Sequence, residues 1–461
     1  MKHTLRSENF IRHLSAEKNY LHRQILKALR SYHGNIHSQI RDLIHEAEIL
    51  YERGLYAQSE KIIRKVKRIA KDNDMNWVLL EIYRRGEMNL ALKKSDRERV
   101  EKIMKEESEE LSLFQNTKIY RDLYFRLGTY YYRYGISRDK KYLPEIEEII
   151  RNKYLQDESL AKTYEAKLRF YDTHALYEQI KGNAVNTYRY FKATLRHIEQ
   201  HPQKIKANYS FYLMCLNNVL IACTSSNIPV FIDKLEKLNS VVKSQEARTR
   251  LFFVLHYHRL NYFNTMGWFD QSLQAIKTML SELPLYEKGL NDSEKFSLFI
   301  IIAILFFSTD KWHPCIFWLN RIQDETRFMI RPDFESFLRL FYILAHYEAG
   351  HADVLPSLIQ SFYRFLLKKE QLYKFETALI YFFRNEMPKI NPETSSGQKE
   401  LIQAFQKLKN KIAPLADDAH EKNVFLFFDY LNWLESKIEN RSFAEVVRQK
   451  AAESGGSSGK G

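Results

Sequence analysis

Residues Leu251 to Pro284 read LFFVLHYHRLNYFNTMGWFDQSLQAIKTMLSELP, and the fold is decided in this stretch. Before its glycine, apolar residues recur at Phe253, Leu255, Leu260 and Phe263. After it they recur at Leu273, Ile276, Met279 and Leu280. Helical spacing puts each set on one face of a helix. Gly267 stands between the sets, where a chain leaving a helix calls for a left-handed residue. Pro284 follows the second set and is expected to end that helix. Two short helices with one apolar face each cannot build a core alone. They must stack on neighbours, so such hairpins come in arrays.

Weaker copies run along the chain. Ala47, Leu50, Gly54, Tyr56, Ser59, Ile63 and Val66 repeat the spacing in a first copy. A second has Trp77, Leu80 and Ile82, a turn near Lys94 and Ser95, then Val100, Ile103 and Met104. Tyr124, Leu127, Gly128, Tyr131 and Gly135 open a third, continued by Ile146, Ile149 and Ile150. Ala175, Gly182, Ala184 and Phe191 mark a fourth. A fifth turns at Thr224 to Ser226, with Pro229 in the first turn of the next helix, where its missing N–H costs little. Past the reference hairpin, a seventh has Ala303 and Phe306, a turn at Thr309 to Lys311, then Trp312, Cys315, Leu319 and Ile322. An eighth has Ile343, Tyr347, Gly350, Leu355, Ile359 and Phe362. The ninth is irregular, with a loop over residues 385–397 between two helices. The last has Phe427, Tyr430, Leu431 and Leu434, a turn near Asn440, then Phe443, Val446 and Val447. Successive turns are about 40 to 47 residues apart.

The reference hairpin resembles a tetratricopeptide repeat. Leu260, Phe263 and Gly267 fall at that family's small-or-apolar, aromatic and glycine positions, and Ser272, Ile276, Met279 and Pro284 at its later ones. It departs at His256, where the family favours tryptophan, and at Ser272, where it favours alanine. The step also exceeds the roughly 34 residues of a minimal unit, and longer helix pairs occur in HEAT-type arrays. Gly54, Gly135, Gly182, Gly267 and Gly350, recurring at one place in the unit, favour the tetratricopeptide type. The resemblance implies an all-α fold, a right-handed α-solenoid of about ten antiparallel helix pairs. An N-terminal helix takes residues 1–33, with Phe10, Ile11, Leu14, Tyr20, Leu21, Ile25, Leu26 and Leu29 as candidate core. The array fills 34–450, and 451–461 reads as a flexible Gly/Ser tail. No capping segment precedes the first helix, as in a piece of a longer protein.

The chain has 461 residues, with 71 Lys and Arg against 57 Asp and Glu, so its net charge is 71 − 57 = +14. Nucleic acid, an anionic membrane surface or an acidic peptide would each be attracted. Three cysteines, Cys215, Cys223 and Cys315, make no CxxC pair and fit a reducing, cytoplasmic setting. Residues 1–10 are polar and lack a signal-peptide pattern. The most apolar run, Phe296 to Phe307, is about 12 residues long, short of the roughly 20 that span a bilayer.

Catalytic patterns are missing. His256 and His258, two residues apart, diverge on a helix. His45-Glu46 lacks the second histidine of HExxH. Glu46, Glu48, Glu147 and Glu148 read as solvated carboxylates, and Cys315 with His313 is a poor nucleophile–base pair. Ser457-Ser458-Gly459-Lys460 lacks the first glycine of a phosphate loop. The expectation is a non-enzymatic protein without metal or cofactor.

Two features carry binding. Lys61, Arg64, Lys65, Lys67, Arg68 and Lys71 form a basic helix surface that wraps around most of an exposed arc. The resemblance also implies an inner groove lined by the first helices. It maps to Glu48, Tyr51 and Glu52; Thr129, Tyr132 and Arg133; Tyr257, Asn261 and Asn264; and Leu344, Tyr347 and Glu348. Rings there supply area, and amides pair with a peptide backbone. The family's Lys/Arg and Asn set for a terminal carboxylate is not found. The reading is a scaffold for a protein or peptide partner. The alternatives are a nucleic-acid-associated repeat protein and a peptide-sensing regulator. Salt separates the first two: nucleic-acid binding weakens steeply with ionic strength, and groove binding much less. On the groove reading, Tyr257→Ala with Asn261→Ala weakens a partner recovered by affinity capture.

Overall fold

The computed structural model describes residues 14–32, 36–134, 142–325, 332–418 and 420–457, and every regular element among them is a helix. Phe10, Ile11 and Gly135 lie outside the described residues. Two compact units fall within residues 1–119 with 162–164, and 120–161 with 165–461.

The first unit holds α1 (Leu14–Tyr32), α2 (Ile36–Glu52), α3 (Tyr56–Asp72), α4 (Asn76–Glu81), α5 (Met88–Lys93) and the start of α6 (Arg97–Tyr134). Ile63, Val66 and Ala70 of α3 form one core with Ile40, Ile44 and Ala47 of α2. A single π-helical turn, Ile82–Glu87, joins α4 to α5. A Cβ on Gly86 in that turn would come within 2.8 Å of Ile63 Cδ1, so a larger residue there would push the Ile63 side chain aside. Two expectations are corrected. The second helix of hairpin two and the first of hairpin three are one helix, α6, because no glycine or proline interrupts Arg97 to Arg126. The core assigned to the first helix is not buried: Tyr20, Leu21, Ile25, Leu26 and Leu29 are exposed, and Leu14 is half-buried. The apolar face of α2 is packed on α3, and no residue of α1 belongs to that core.

The second unit holds the rest of α6, then α7 (Leu143–Ile150), α8 (Lys153–Gln156), α9 (Tyr164–Ile180), α10 (Ala184–Glu199), α11 (Pro202–Ala207), α12 (Tyr209–Ala222), α13 (Ile228–Leu238) and α14 (Gln245–Met266). After these come α15 (Phe269–Tyr286), α16 (Asp292–Ser308), α17 (Trp312–Glu325), α18 (Pro332–Glu348), α19 (Leu355–Lys369), α20 (Lys374–Tyr381), α21 (Ser395–Ile412), α22 (Tyr430–Glu439) and α23 (Phe443–Ser457). Most packing is between helices close in sequence, α10 on α12, α12 on α14, α14 on α16, α16 on α17 and α17 on α18. This local packing is compatible with a helical repeat.

One turn closure recurs in both units. Gly54, Gly182, Gly267, Asp310 and Gly350 are left-handed. The next N–H donates back to a carbonyl five residues earlier: Leu55 to Leu50, Asn183 to Glu178, Trp268 to Phe263, Lys311 to Phe306 and His351 to His346, at 2.9–3.0 Å. These bonds satisfy carbonyls that the helix end would leave open. Five residues beyond the left-handed position stand Ser59, Thr187, Ser272 and Cys315, and in the hairpin of Gly350 the larger Leu355, all buried. Seven before it stand Ala47, Ala175 and Ala303, also buried. In the hairpins of Gly54, Gly182 and Asp310 small side chains on both helices let the two axes approach, and Ser59 Oγ donates to the Ala47 carbonyl across the first hairpin at 2.8 Å. Leu260 in the reference hairpin, and Ile343 with Leu355 in the hairpin of Gly350, take the same positions with larger side chains. Nine and twelve residues beyond lie Ile63 and Val66, Phe191 and Thr194, Ile276 and Met279, Leu319 and Ile322, and Ile359 and Phe362, again all buried.

Local details depart from expectation. α15 passes through Pro284 and stops at Tyr286, where a 3-10 turn follows, so proline costs a bond near the helix end without ending it. The ninth loop is shorter than expected, holding a 3-10 turn at Met387–Lys389 and giving way to α21 at Ser395. α23 continues through Ser457, beyond the start of the presumed tail.

The larger departure is the last hairpin, which does not touch its sequence neighbours alone. α23 packs on α14. Arg448 Nε donates to the Gly267 carbonyl at 3.1 Å. Phe428 and Phe443 both meet the Phe307 ring, at 5.3 and 6.3 Å between centroids. Phe427 stacks on Phe337 at 5.2 Å. The C-terminal segment thus folds back over α14, α16 and α18. Two glycine substitutions separate turn geometry from this docking. Gly350→Ala is expected to cost about 1 kcal/mol, the penalty of a left-handed alanine, because nothing stands within 4 Å of the added methyl. Gly267→Ala is expected to cost more and to loosen α23, since its methyl would stand 3.1 Å from Arg448 Cα. Chemical unfolding with limited proteolysis checks both; equal losses with α23 still protected would contradict the docking.

Candidate functional site

Asp122, Phe125, Arg126, Thr129 and Tyr130 lie on one face of α6, at the spacing of successive helical turns. Glu145, Glu148 and Ile149 of α7 face them. Pro144 sits in the first turn of α7, and Ile146 and Ile149 bury its inner side. Together these residues line an open groove of about 680 Å³. The Tyr130 hydroxyl donates to the Glu145 carboxylate, and that bond pushes the phenol above its ordinary pKa. Phe125 is exposed, and Tyr132 on the next turn is 74% exposed. Arg133 is exposed too and lies 5.3 Å from the Tyr134 ring, which stacks on Tyr142 at 3.8 Å. Open rings beside three carboxylates and one arginine suit a chain segment with apolar and basic side chains.

α6 is anchored from its other side. Arg169 of α9 lies 4.8 Å from the Tyr124 ring and bonds Glu165 at 2.9 Å. Asp172 is 3.7 Å from Arg169 and accepts a bond from Thr194 Oγ1 at 3.0 Å. Burial outweighs both partners and pushes Asp172 up to about 6.

The other expected groove positions are less open. Tyr51 is half-buried, edge-on to Tyr56 at 5.2 Å. Tyr257 is half-buried and stacked on Phe253, and burial raises its phenol. Asn261 and Asn264 are half-buried beside it on α14. Tyr347 is a correction: it sits among the rings of Phe383, Phe405 and Trp433, and its phenol is driven up by burial and then by Glu348. Glu348 accepts from Trp433 Nε1 at 2.7 Å and from Lys437 Nζ at 2.5 Å. The returning α22 covers the face that Tyr347 was expected to present. The lining of the α6–α7 groove contains Thr129 but none of Tyr51, Tyr132, Arg133, Tyr257, Asn261, Asn264 or Tyr347. Phe125 lies one turn before Thr129, so the three-and-four spacing already in the sequence could have found it. The carboxylates of α7 carried no such signal, because their placement depends on a hairpin turn.

The basic surface of α3 is also corrected. Lys61, Arg64, Lys65, Arg68 and Lys71 are exposed, but Lys67 is not. Its ammonium bonds Glu87 at 2.9 Å and Glu106 at 2.8 Å, 4.5 Å from the Tyr83 ring. Burial opposes the Glu106 charge, yet the bond from Lys67 brings that carboxyl below its ordinary value. Arg64 pairs with Glu60 at 3.2 Å. Glu60, itself buried, also takes Lys94 at 2.8 Å and Arg99 at 2.7 Å.

The two paired histidines do diverge. His258 Nε2 is 2.9 Å from Asn217 Oδ1 on α12, and His256 Nε2 lies 3.7 Å from Glu282 on α15. Burial lowers both, to about 3 and about 4. Cys215 and Cys315 are buried with raised thiols, and burial pushes Cys223 up to about 11. No group of three or more metal-ligating side chains converges among the described residues. Compared with models of known protein families and with curated protein sequences, the chain matches none.

Glu60 gives a pH test. The Lys94 hydrogen bond, helped by Arg99 against the cost of burial, lowers it from 4.5 to about 2. A lowered carboxyl contributes fully above its unfolded pKa, and the contribution is lost as pH falls through the folded value. The first unit is therefore expected to lose stability between pH 4.5 and about 2. Glu60→Gln should cost roughly 3 kcal/mol at neutral pH and flatten that loss. Thermal unfolding at neutral and acid pH reads both; an unchanged acid slope would show that Glu60 is not the titrating group.

Proposed function

We propose that the chain is a tetratricopeptide-type helical repeat protein, a right-handed α-solenoid, acting as a non-enzymatic cytoplasmic scaffold for a segment of a partner protein. The observation that carries the reading is the recurring register of left-handed turn, small buried residue and two buried anchors at Gly54, Gly182, Gly267 and Asp310, with Thr194 the one polar anchor among them. Hairpins of this kind expose one face of each first helix while burying the other, which is how arrays present a binding surface. The groove on α6 and α7 is where the segment lies. Phe125 in the groove and Tyr132 beyond its lining, further along the same face of α6, supply open ring area, and Asp122, Glu145 and Glu148 favour basic side chains.

The nucleic-acid alternative draws on the exposed cations of α3. It is the weaker reading, because Lys67 and Arg64 already answer acidic side chains of the same unit. Affinity capture from nuclease-treated extract, followed by binding of the recovered segment, tests the choice. Phe125→Ala with Tyr132→Ala is expected to weaken that segment by about thirtyfold or more, as for paired aromatic anchors. Raised salt should weaken it only modestly. An unchanged affinity in the double variant, or a complex that disappears with nuclease, would contradict the reading.

A further inference from the structure

Among the described residues, no side chain of α1 is buried. Every side chain from Ser15 to Leu29 is exposed, although the helix is strongly sided. Leu14, Leu21, Ile25 and Leu29, spaced seven, four and four, fall along one face, and Leu21 and Ile25 are 59% and 48% exposed. Leu26 widens the apolar surface on one flank, and Tyr20 lies beside Lys27 on the polar side. The helix sequence carries Lys18, Arg23, Lys27 and Arg30 against the single acid Glu17. Arg23 and Lys27 occupy the arc opposite Leu21 and Ile25, and Lys18 sits within the apolar face, where a long stem can lie flat while its ammonium reaches water.

An isolated helix of this length is marginal in water, so something that takes up the apolar face must stabilise it. The broad apolar arc, the net positive charge and the low overall hydrophobicity describe a helix that lies in a bilayer interface. No helix among the described residues is long and apolar enough to cross a membrane, so the contact is with the surface alone. We propose that α1 is a membrane-surface anchor whose leucine and isoleucine face enters the headgroup boundary of an anionic bilayer while its cations meet the lipid phosphates and carboxylates. The net charge of the chain, +14, draws the protein toward the same surface.

The test is sedimentation of the full chain with phosphatidylcholine vesicles, with and without phosphatidylserine. Binding is expected only where phosphatidylserine is present, and it should weaken as salt rises. Arg23→Gln with Lys27→Gln should reduce it about thirtyfold, the effect of two cations near such a surface. Leu21→Ser with Ile25→Ser should reduce it at least about tenfold. Because these side chains are exposed, both variants should keep the thermal unfolding of the parent chain. The proposal is overturned by equal binding to neutral vesicles, by absence of binding, or by variants that bind as the parent does. It is also overturned if the parent self-associates in solution, the serine variant does not, and neither touches vesicles, for α1 then pairs with a second copy.

Discussion

How closely the two helices of a hairpin approach sets the rest of the architecture. Ser59, Thr187, Ser272 and Cys315 stand at one register position in four hairpins, and the hairpin of Gly350 places Leu355 there instead. A buried hydroxyl would cost free energy unless it were paired. Each is: Ser59 donates across its hairpin, and Thr187 and Ser272 donate one turn back, to Asn183 and Trp268, at 2.7 and 2.9 Å. With the contact kept narrow by small residues, the larger ones four and seven positions on are left to reach the next helix. The left-handed turn fixes this register, because it sets where the second helix begins.

The same packing accounts for α16, the most apolar helix. It is buried on nearly all sides, from Phe296 to Ser308. α14, α15 and α17 cover much of it, and Phe428 and Phe443 close over Phe307. A helix that is apolar all round needs neighbours all round. The returning C-terminal segment supplies the last of them, and Glu348 joins it to α18 through Trp433 and Lys437.

The helical hairpins were legible in the sequence wherever a turn carried its own signal. Gly54, Gly182, Gly267 and Gly350 could be read because a left-handed turn favours glycine, and Asp310 and Asn440 do the same work with short polar side chains. What was not legible was long-range. Phe427, Phe443 and Arg448 look like the next hairpin in line, and no local pattern says that they fold back on α14 and α16. For the same reason Tyr347 read as an open groove residue and is half-buried among the rings of Phe383, Phe405 and Trp433, and the apolar set of α1 read as core and is exposed. Of the candidate site, Thr129 was visible, with Tyr132 and Arg133 beside it on α6. The facing Glu145 and Glu148 depended on where α7 lies. Lys67 read as part of a surface patch because its partners, Glu87 and Glu106, are twenty and thirty-nine residues away.

Amide hydrogen exchange at the hairpin turns tests the central claim most directly, because the shared register rests on a small set of backbone bonds. The N–H groups of Leu55, Asn183, Trp268, Lys311 and His351 each sit just past a helix end, where a loop amide would exchange freely. With each bonded to a carbonyl five residues back, the account predicts that they exchange as slowly as amides in the helices on either side. Exchange at the rate of open loops at these five positions, with the flanking helices protected, would contradict it.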